Sequence, residues 1–416
     1  MKTVLVTGVT GFVGSALAAG FIKNGIKVVA ISRNDNSGWR TLKAIEEAVA
    51  QTQNDFSRDI GQMLEVISIE YEKIEDLSKN PLLDEIDEVW HSAAEMTYSK
   101  RKLNRSFAQN LEKTSRLYKI MARSKKCKRF YYISTAYTGG IDDQMATEEL
   151  HVSPILTNSY QASKWAAEMS LAQCNERWKL PVTIFRPSIV VGDEFTGWRG
   201  KSSFGFYVFV ENLMNIRELG VDQVQIDLDP NALVNLIPVN RVVDYAIKLS
   251  QSDSIRDSFE VVHASSGKPF TVVKLAERIE VITGLKIFFG KPITKLDRML
   301  ANGVKQNKYF AGRSWHFNQC TMKKVLKRDY EDFKMDATIL DIIICRFLWS
   351  DDVVIRRKKL MKKRHLRFSK KMSSIYNLQT RIITSYRSKF ELSRQSEALN
   401  SIDLETQHMR THTKIS

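Results

Sequence analysis

Tyr160 and Lys164 stand four residues apart in Tyr160-Gln161-Ala162-Ser163-Lys164, a spacing that puts a phenol and an ammonium on one face of a helix. An ammonium beside a phenol favours the phenolate, so such a tyrosine can exchange a proton with a substrate oxygen. Two hydroxyls, Ser134 and Thr135, end an apolar run upstream of that pair. The N-terminus supplies what a proton-exchanging tyrosine needs for redox chemistry. There Val4-Leu5-Val6 runs into Thr7-Gly8-Val9-Thr10-Gly11-Phe12-Val13-Gly14. A Gly-x-x-Gly-x-x-Gly turn after a first strand lets the backbone approach a pyrophosphate and sets that anion on the N-terminus of the next helix. Taken singly, the turn is also an ordinary strand-helix junction and the Tyr-Lys pair an ordinary solvated pair. Together they predict a nicotinamide dinucleotide lying beside Tyr160 while hydride moves.

These groups need elements to hold them. Short β-branched runs recur at residues 3–6, 27–31, 64–67, 88–91, 129–133 and 181–185, with helical segments between them. Such alternation predicts an α/β protein: a Rossmann doubly wound parallel sheet covered by helices on both faces, with ligands beyond the carboxyl ends of its strands. The second strand ends at Arg33, where a cofactor without a 2′-phosphate usually meets an acid. A guanidinium there pairs with a 2′-phosphate, and Arg40 is a second candidate, so NADPH is expected over NADH. The alternative is that Asp35 takes the ribose hydroxyls and Arg33 is a surface charge. After the fourth strand, His91-Ser92-Ala93-Ala94 offers small residues past which the backbone can run close to a cofactor, with Ala93 the contact. His91 itself reads equally as a structural histidine.

In order along the chain, Thr7 to Gly14, His91-Ser92-Ala93-Ala94, Asn110, Ser134-Thr135-Ala136-Tyr137, Tyr160 with Lys164, and Arg186-Pro187-Ser188-Ile189-Val190-Val191-Gly192-Asp193 resemble the extended short-chain dehydrogenase/reductase superfamily over about residues 1 to 300. Ser-Thr-Ala-Tyr followed by Arg-Pro-Ser-Ile-Val-Val-Gly-Asp is most similar to its thioester reductase branch. That branch comprises fatty acyl-CoA reductases (the "male sterility" domain) and the terminal reductases of carboxylic acid reductases and peptide synthetases. The resemblance implies a catalytic set of Thr135, Tyr160, Lys164 and Asn110, with Ser134 the alternative to Thr135. In it Thr135 donates to the substrate carbonyl beside Tyr160. Lys164 holds the nicotinamide ribose and lowers the tyrosine's pKa, and Asn110 supports a water and the lysine. Thr7, Gly8, Thr10, Gly11, Phe12, Val13, Gly14, Arg33, Ala93, Lys164, Pro187, Ser188 and Ile189 are the cofactor contacts expected on the same footing. The chain departs from the branch after the third strand, where Ile69-Glu70-Tyr71-Glu72 replaces the usual adenine-side Asp.

The implied activity is NADPH-dependent reduction of an acyl thioester, carried on CoA or on a carrier protein, to aldehyde or alcohol. A sugar-nucleotide epimerase, dehydratase or reductase uses the same tyrosine-lysine pair and is the alternative within enzymes. A nucleotide-sensing scaffold is the alternative outside them. After Asp193 the loop Glu194 to Tyr207 is rich in glycine and aromatics and suits a substrate mouth, with Arg199 or Lys201 toward a phosphopantetheine or CoA phosphate. Phe204, Phe206, Tyr207 and Phe209 read equally as that lobe's own core. Leu236 to Asp244 resembles the family's return to the nucleotide domain, and Phe259 to His263 a further strand.

The expected organisation is therefore an NADP-binding domain over 1–192 with 236–264, a smaller substrate lobe over 193–235 and 265–330, and a basic helical or disordered tail over 331–416. Among the 416 residues the four cysteines match no metal or redox spacing, which suggests free thiols in a reducing compartment. Lys2 and the apolar run to Ala19 imitate a secretion signal, but glycines interrupt it and its removal would delete the phosphate turn. No stretch reaches the roughly 18 to 20 apolar residues of a membrane span, so a cytoplasmic or peripheral protein is expected. Residues 351–416 hold 16 Lys/Arg against 6 Asp/Glu, which is +10 of the whole chain's +16. With the apolar patch 339–349 before it, this tail suits an anionic membrane surface. It equally suits an acidic carrier protein, nonspecific contact with nucleic acid, or no partner; no specific nucleic-acid site is expected.

Overall fold

In the computed structural model, residues 1–51, 60–141, 145–252, 254, 256–303 and 305–363 are described. Seven parallel strands form the central sheet: β1 (Thr3–Thr7), β2 (Lys27–Arg33), β3 (Leu64–Ile69), β4 (Glu88–His91), β5 (Arg129–Ile133), β6 (Val182–Pro187) and β7 (Phe259–Ala264), in the order β3-β2-β1-β4-β5-β6-β7. Each strand named from its β-branched run is present. Residues such as Val4-Leu5-Val6 and Val28-Val29-Ala30 are buried on both faces, as an interior parallel sheet requires. The order reverses between β1 and β4, where Thr7 pairs with both Ile31 and His91, so the carboxyl ends of β1, β2 and β4 open onto one crevice.

Helices cover both faces. On one lie α1 (Phe12–Lys23) and α2 (Trp39–Ala50), with α7 (Val239–Gln251) against α1. Their approach is close: a Cβ on Gly20 would sit 2.3 Å from the Val243 side chain. Trp90 of β4 packs on Phe21 of α1 and stacks on Tyr131 at 3.9 Å between ring centroids. On the other face a broken helix, α3 (Leu103–Phe107), a π turn (Ala108–Glu112) and α4 (Lys113–Met121), packs on α5 (Ser159–Trp178). Leu117, Tyr118, Met121, Ala167 and Leu171 meet Leu5, Val29, Val89, Phe130 and Ile184 of the strands in one apolar cluster. Helix α5 carries Tyr160 and Lys164, and its start is fixed by Asn158, whose side-chain oxygen accepts from the Gln161 amide at 2.9 Å.

Beyond the sheet stand α6 (Phe206–Glu218), α8 (Val272–Thr283), α9 (Lys295–Gly303), α10 (Lys305–Ala311) and α11 (Cys320–Leu326), with a parallel strand pair between Gln223–Ile226 and Lys286–Phe289. Helix α12 (Ala337–Leu348) packs on α6 and α8 and is joined to α8 by the Arg278–Asp341 ion pair. The first compact unit therefore runs from Met1 to Leu348 rather than ending near residue 330. This revises the part assigned to the patch 339–349: Leu340, Ile343, Ile344, Phe347 and Leu348 are buried in the core, so that helix has no apolar face to lend to a membrane surface. The second unit, Trp349–Ser416, contributes α13 (Asp351–Lys363), in which Arg356 pairs with Asp352. The rest of the expected basic tail, from Arg364 on, lies outside the described residues. Among the described residues, no helix is long and apolar enough to cross a membrane.

Candidate active site

A cavity of roughly 1210 Å³ opens at the carboxyl ends of β1, β2, β4, β5 and β6 and continues toward α6, α8 and α10. Its first wall is the glycine turn. Gly8 has φ +73° and lies so near the β4 end that a Cβ there would be 2.7 Å from the Ala93 nitrogen; one on Gly14 would be 2.2 Å from the Gly8 carbonyl oxygen. The Gly11 amide donates to that carbonyl at 2.9 Å. Gly11 then starts α1 without any side-chain cap, which leaves the first N–H groups of the helix facing the cavity. A turn whose glycines leave room for close approach in this way, ending on an uncapped helix, fits a pyrophosphate. Gly8, Thr10, Gly11, Phe12, Val13, Gly14, Ala93, Pro187, Ser188 and Ile189 all line the cavity.

Thr7 does not. Its hydroxyl receives the Ala93 amide at 3.1 Å and bonds to His91 Nδ1 at 2.7 Å, so it ties β1 to the β4 end from behind the wall. His91 is likewise structural, with Nε2 on the Thr114 hydroxyl at 2.9 Å. Burial, helped by the charge of Lys164, pushes the imidazole down to about 3 and keeps it neutral.

At the end of β2, Arg33, Arg40 and Lys43 line the same cavity beside Trp39. Asp35 is turned away from it. Its carboxylate accepts from the Arg40 and Thr41 amides and the Thr41 hydroxyl at 3.2, 3.0 and 2.7 Å, and these bonds hold it below the usual carboxylate range against the opposing pull of burial. It anchors the start of α2. Glu70 faces Lys73 at 3.1 Å and does not line the cavity.

Thr135, Tyr160 and Lys164 face the middle of the cavity. Thr135 begins a one-turn helix, and its hydroxyl accepts from the Tyr137 amide at 3.4 Å. Ser134, the alternative, donates instead to the Glu168 carboxylate at 2.5 Å. Lys164 donates to the Ile133 carbonyl at 2.6 Å and lies 4.5 Å from the Tyr132 ring centre. Burial pushes its ammonium down to about 7, with Glu168 pulling the other way. Tyr160 is raised by burial and then by Tyr98 and Glu168. Lys164, from which a lowering was expected, is not among the groups that shift the phenol here.

Asn110 sits in the π turn outside the cavity wall. Its amide oxygen accepts from the Glu95 amide at 2.7 Å, and its nitrogen donates to the Glu95 carbonyl at 3.0 Å and the Ser163 hydroxyl at 2.9 Å. These bonds staple the β4 loop to α5.

Beneath the site a fully buried ion pair, Arg186–Glu168 at 2.6 Å, also gathers Ser134, His151 and the Thr147 carbonyl. Since Arg186 precedes Pro187, the pair clamps three cavity-lining segments at once. Glu168 lies one helical turn past Lys164, a spacing that could have pointed to it.

The far end of the cavity is apolar: Tyr98, Phe204, Phe206, Phe209, Leu228, Val234, Leu275 and Phe310 line it. The Tyr98 ring lies 6.3 Å from Tyr160 and 6.4 Å from Phe310. The two readings of the 194–207 loop divide here. Phe204, Phe206 and Phe209 line the cavity, whereas Tyr207 is core, receiving the Gly192 amide at 2.7 Å and packing on Phe347 at 4.6 Å. Lys201 lines the cavity, whereas Arg199 does not and is buried over the Phe347 ring at 4.8 Å. Nothing in the spacing of Tyr98 or Phe310 signals a place at the site.

Residues 6–246 match the family described as male sterility protein. Among curated relatives, fatty acyl-CoA reductase 1 of Xenopus laevis is 27% identical over 282 residues, covering 58% of this chain and 53% of that protein. The chain spans less than two thirds of the length of such relatives. Among solved structures, the terminal R domain of the myxalamid PKS-NRPS biosynthetic pathway superposes with a TM-score of 0.66 at 18% identity, over 84% of this chain and 90% of that one. UDP-glucuronic acid 4-epimerase of Bacillus cereus in complex with NAD gives a TM-score of 0.61 at 18% identity, over 83% and 96%. These two likenesses speak for the shared extended short-chain dehydrogenase/reductase fold, while the sequence match goes further: this chain belongs to the NAD-binding male sterility protein family.

Proposed function

We propose that this chain is an NADPH-dependent reductase of acyl thioesters, and that Thr135, Tyr160 and Lys164 are its catalytic groups. The observation that carries this reading is the continuous cavity running from the glycine turn, past those three side chains, to a wall of aromatic and aliphatic side chains that suits an acyl chain. The family match and the fatty acyl-CoA reductase relative support the thioester over a nucleotide sugar. So does the far wall, since phenyl rings and aliphatic side chains offer a nucleotide sugar little to hydrogen-bond. Arg33, Arg40 and Lys43 at the β2 end, with Asp35 withdrawn, support NADPH over NADH.

Bound NADPH would supply hydride to the carbonyl carbon. Lys164 would hold the ribose beside it while its ammonium keeps one hydrogen bond to the Ile133 carbonyl. The Thr135 hydroxyl donates a hydrogen bond to the carbonyl oxygen, where negative charge develops as hydride arrives. Tyr160 gives that oxygen its proton, and the raised pKa keeps the phenol protonated and ready to give it. The resulting hemithioacetal collapses to aldehyde and free thiol. Phe204, Phe206 and Phe209 hold the acyl chain and exclude water from the reacting carbon.

The test is incubation with a panel of acyl-CoA thioesters and either NADPH or NADH, with absorbance followed at the nicotinamide band and products identified by mass. Tyr160→Phe should lose roughly 10²–10⁴-fold in turnover while its NADPH affinity changes little. Retained turnover removes Tyr160 from this role. Absence of net cofactor oxidation with every thioester, together with interconversion of a sugar nucleotide, overturns the reading.

A further inference from the structure

Next to the apolar end of the cavity lies a surface that the reduction chemistry does not use. The one-turn helix Lys100–Lys102 presents Lys100, Arg101 and Lys102 to solvent. Among the described residues none of the three forms an ion pair, whereas exposed cations nearby do: Arg105 with Glu95, and Arg116 with Glu75 and Glu112. The turn is fastened to the catalytic helix. Ser159, the residue before Tyr160, donates its hydroxyl to the carbonyls of Thr97 at 3.0 Å and Ser99 at 2.8 Å, and Tyr98 between them lines the cavity. Two exposed apolar side chains, Met96 and Leu103, each 40% exposed, flank the cations.

We propose that this turn docks an acidic protein domain that carries the acyl thioester, so that the acyl group enters past Tyr98 toward Tyr160. The proposal rests on the thioester reading above and names its carrier. Three adjacent unpaired cations repel one another until an anionic partner is placed against them. The flanking Met96 and Leu103 favour a folded acidic domain over a free nucleotide, because apolar side chains beside the cations give phosphates nothing, while they pack against a protein surface. The attachment to Ser159 sets the docked domain at a fixed distance from the catalytic phenol.

The test compares the intact chain with a Lys100→Glu/Arg101→Glu/Lys102→Glu variant, whose changes are confined to exposed side chains. Three substrates bearing one acyl group are used: an acyl-loaded stand-alone acidic carrier protein, the acyl-pantetheine thioester and acyl-CoA. The variant should lose about tenfold or more in kcat/KM on the carrier protein at low salt. The difference should shrink as salt rises, because exposed charges more than about 10 Å apart are screened at 0.1 M, and acyl-pantetheine turnover should be unchanged. An equal loss on all three substrates, no loss on the carrier protein, or a loss confined to acyl-CoA each overturns the proposal. Titration of the carrier protein against both chains reads docking without turnover. If no thioester is reduced by the intact chain, the thioester reading fails, while carrier binding that the triple variant abolishes still supports the docking surface and unchanged binding still overturns it.

Discussion

The two ends of the cavity are made of different material. The cofactor end turns on backbone: closely packed glycines, the uncapped start of α1, and a β4 end that approaches Gly8 to within the space of one missing methyl. The substrate end is side chains, drawn from the β4 loop, α6, α8 and α10. Backbone geometry tolerates no substitution where atoms already touch, whereas an aromatic wall can lose one ring and keep its neighbours. The cofactor end should therefore fail as a unit and the substrate end piece by piece.

The largest effect should come from the group that serves both ends. Glu168→Gln leaves the Arg186 guanidinium buried without its counter-charge, a change worth about 3–5 kcal/mol of stability. Thermal melting should fall, and cofactor affinity and acyl turnover should fall together. Loss of only one of the two would show that the Arg186–Glu168 pair is not shared. A matched pair of variants then separates the ends. Gly14→Ala drives its methyl into the Gly8 carbonyl and should destabilise the fold by about 1–3 kcal/mol while removing measurable NADPH binding. Phe209→Ala should leave NADPH binding intact and raise KM for a long acyl chain by about tenfold, or roughly 1.4 kcal/mol, with little effect on a short one. Calorimetric titration of cofactor beside KM over an acyl-length series checks both, and a cofactor defect in Phe209→Ala would break the contrast.

The smallest effect is a pH dependence confined to the middle. Burial holds Lys164 down to about 7, so its ammonium is lost as pH rises through that value. Affinity for the anionic dinucleotide should weaken severalfold between about pH 6 and 8.5, and Lys164→Met should flatten that slope. The sign for stability is opposite. The folded value lies below the 10.5 of the free group, so between about 7 and 10.5 the unfolded chain binds more protons and this group's contribution to stability grows as pH rises. Melting curves of the two chains at pH 6 and pH 9 should converge toward the higher pH.

The same contrast explains what the sequence made legible. The glycine turn, the strand ends and the Tyr160–Lys164 pair are local patterns, since each depends on residues within one turn or one strand, and all stand where those patterns implied. Ser134 and Thr135 read alike in sequence; what sets their surroundings apart is Glu168, on another element, which holds the Ser134 hydroxyl. Thr7 and Asn110 carry the expected residue types but act one layer back, because their side chains satisfy main-chain groups of the β4 loop rather than a ligand. Tyr98 and Phe310 meet through tertiary contact across more than two hundred residues, and no spacing rule encodes that. Helix α12 misled for a related reason: an apolar helix reads alike whether its partner is a lipid surface or α6 and α8.

That last helix also bears on how the protein can be cut. A Cβ on Gly197 would lie 2.6 Å from the Arg346 side chain and 2.9 Å from the Ile342 carbonyl oxygen, so α12 presses directly on the 193–198 loop. Trp198 of that loop rests edge-on against Phe12 in the phosphate turn, at 5.6 Å between ring centroids. A fragment trimmed at residue 330, which would keep Thr135, Tyr160 and Lys164, would take the buttress away from the wall formed by the glycine turn.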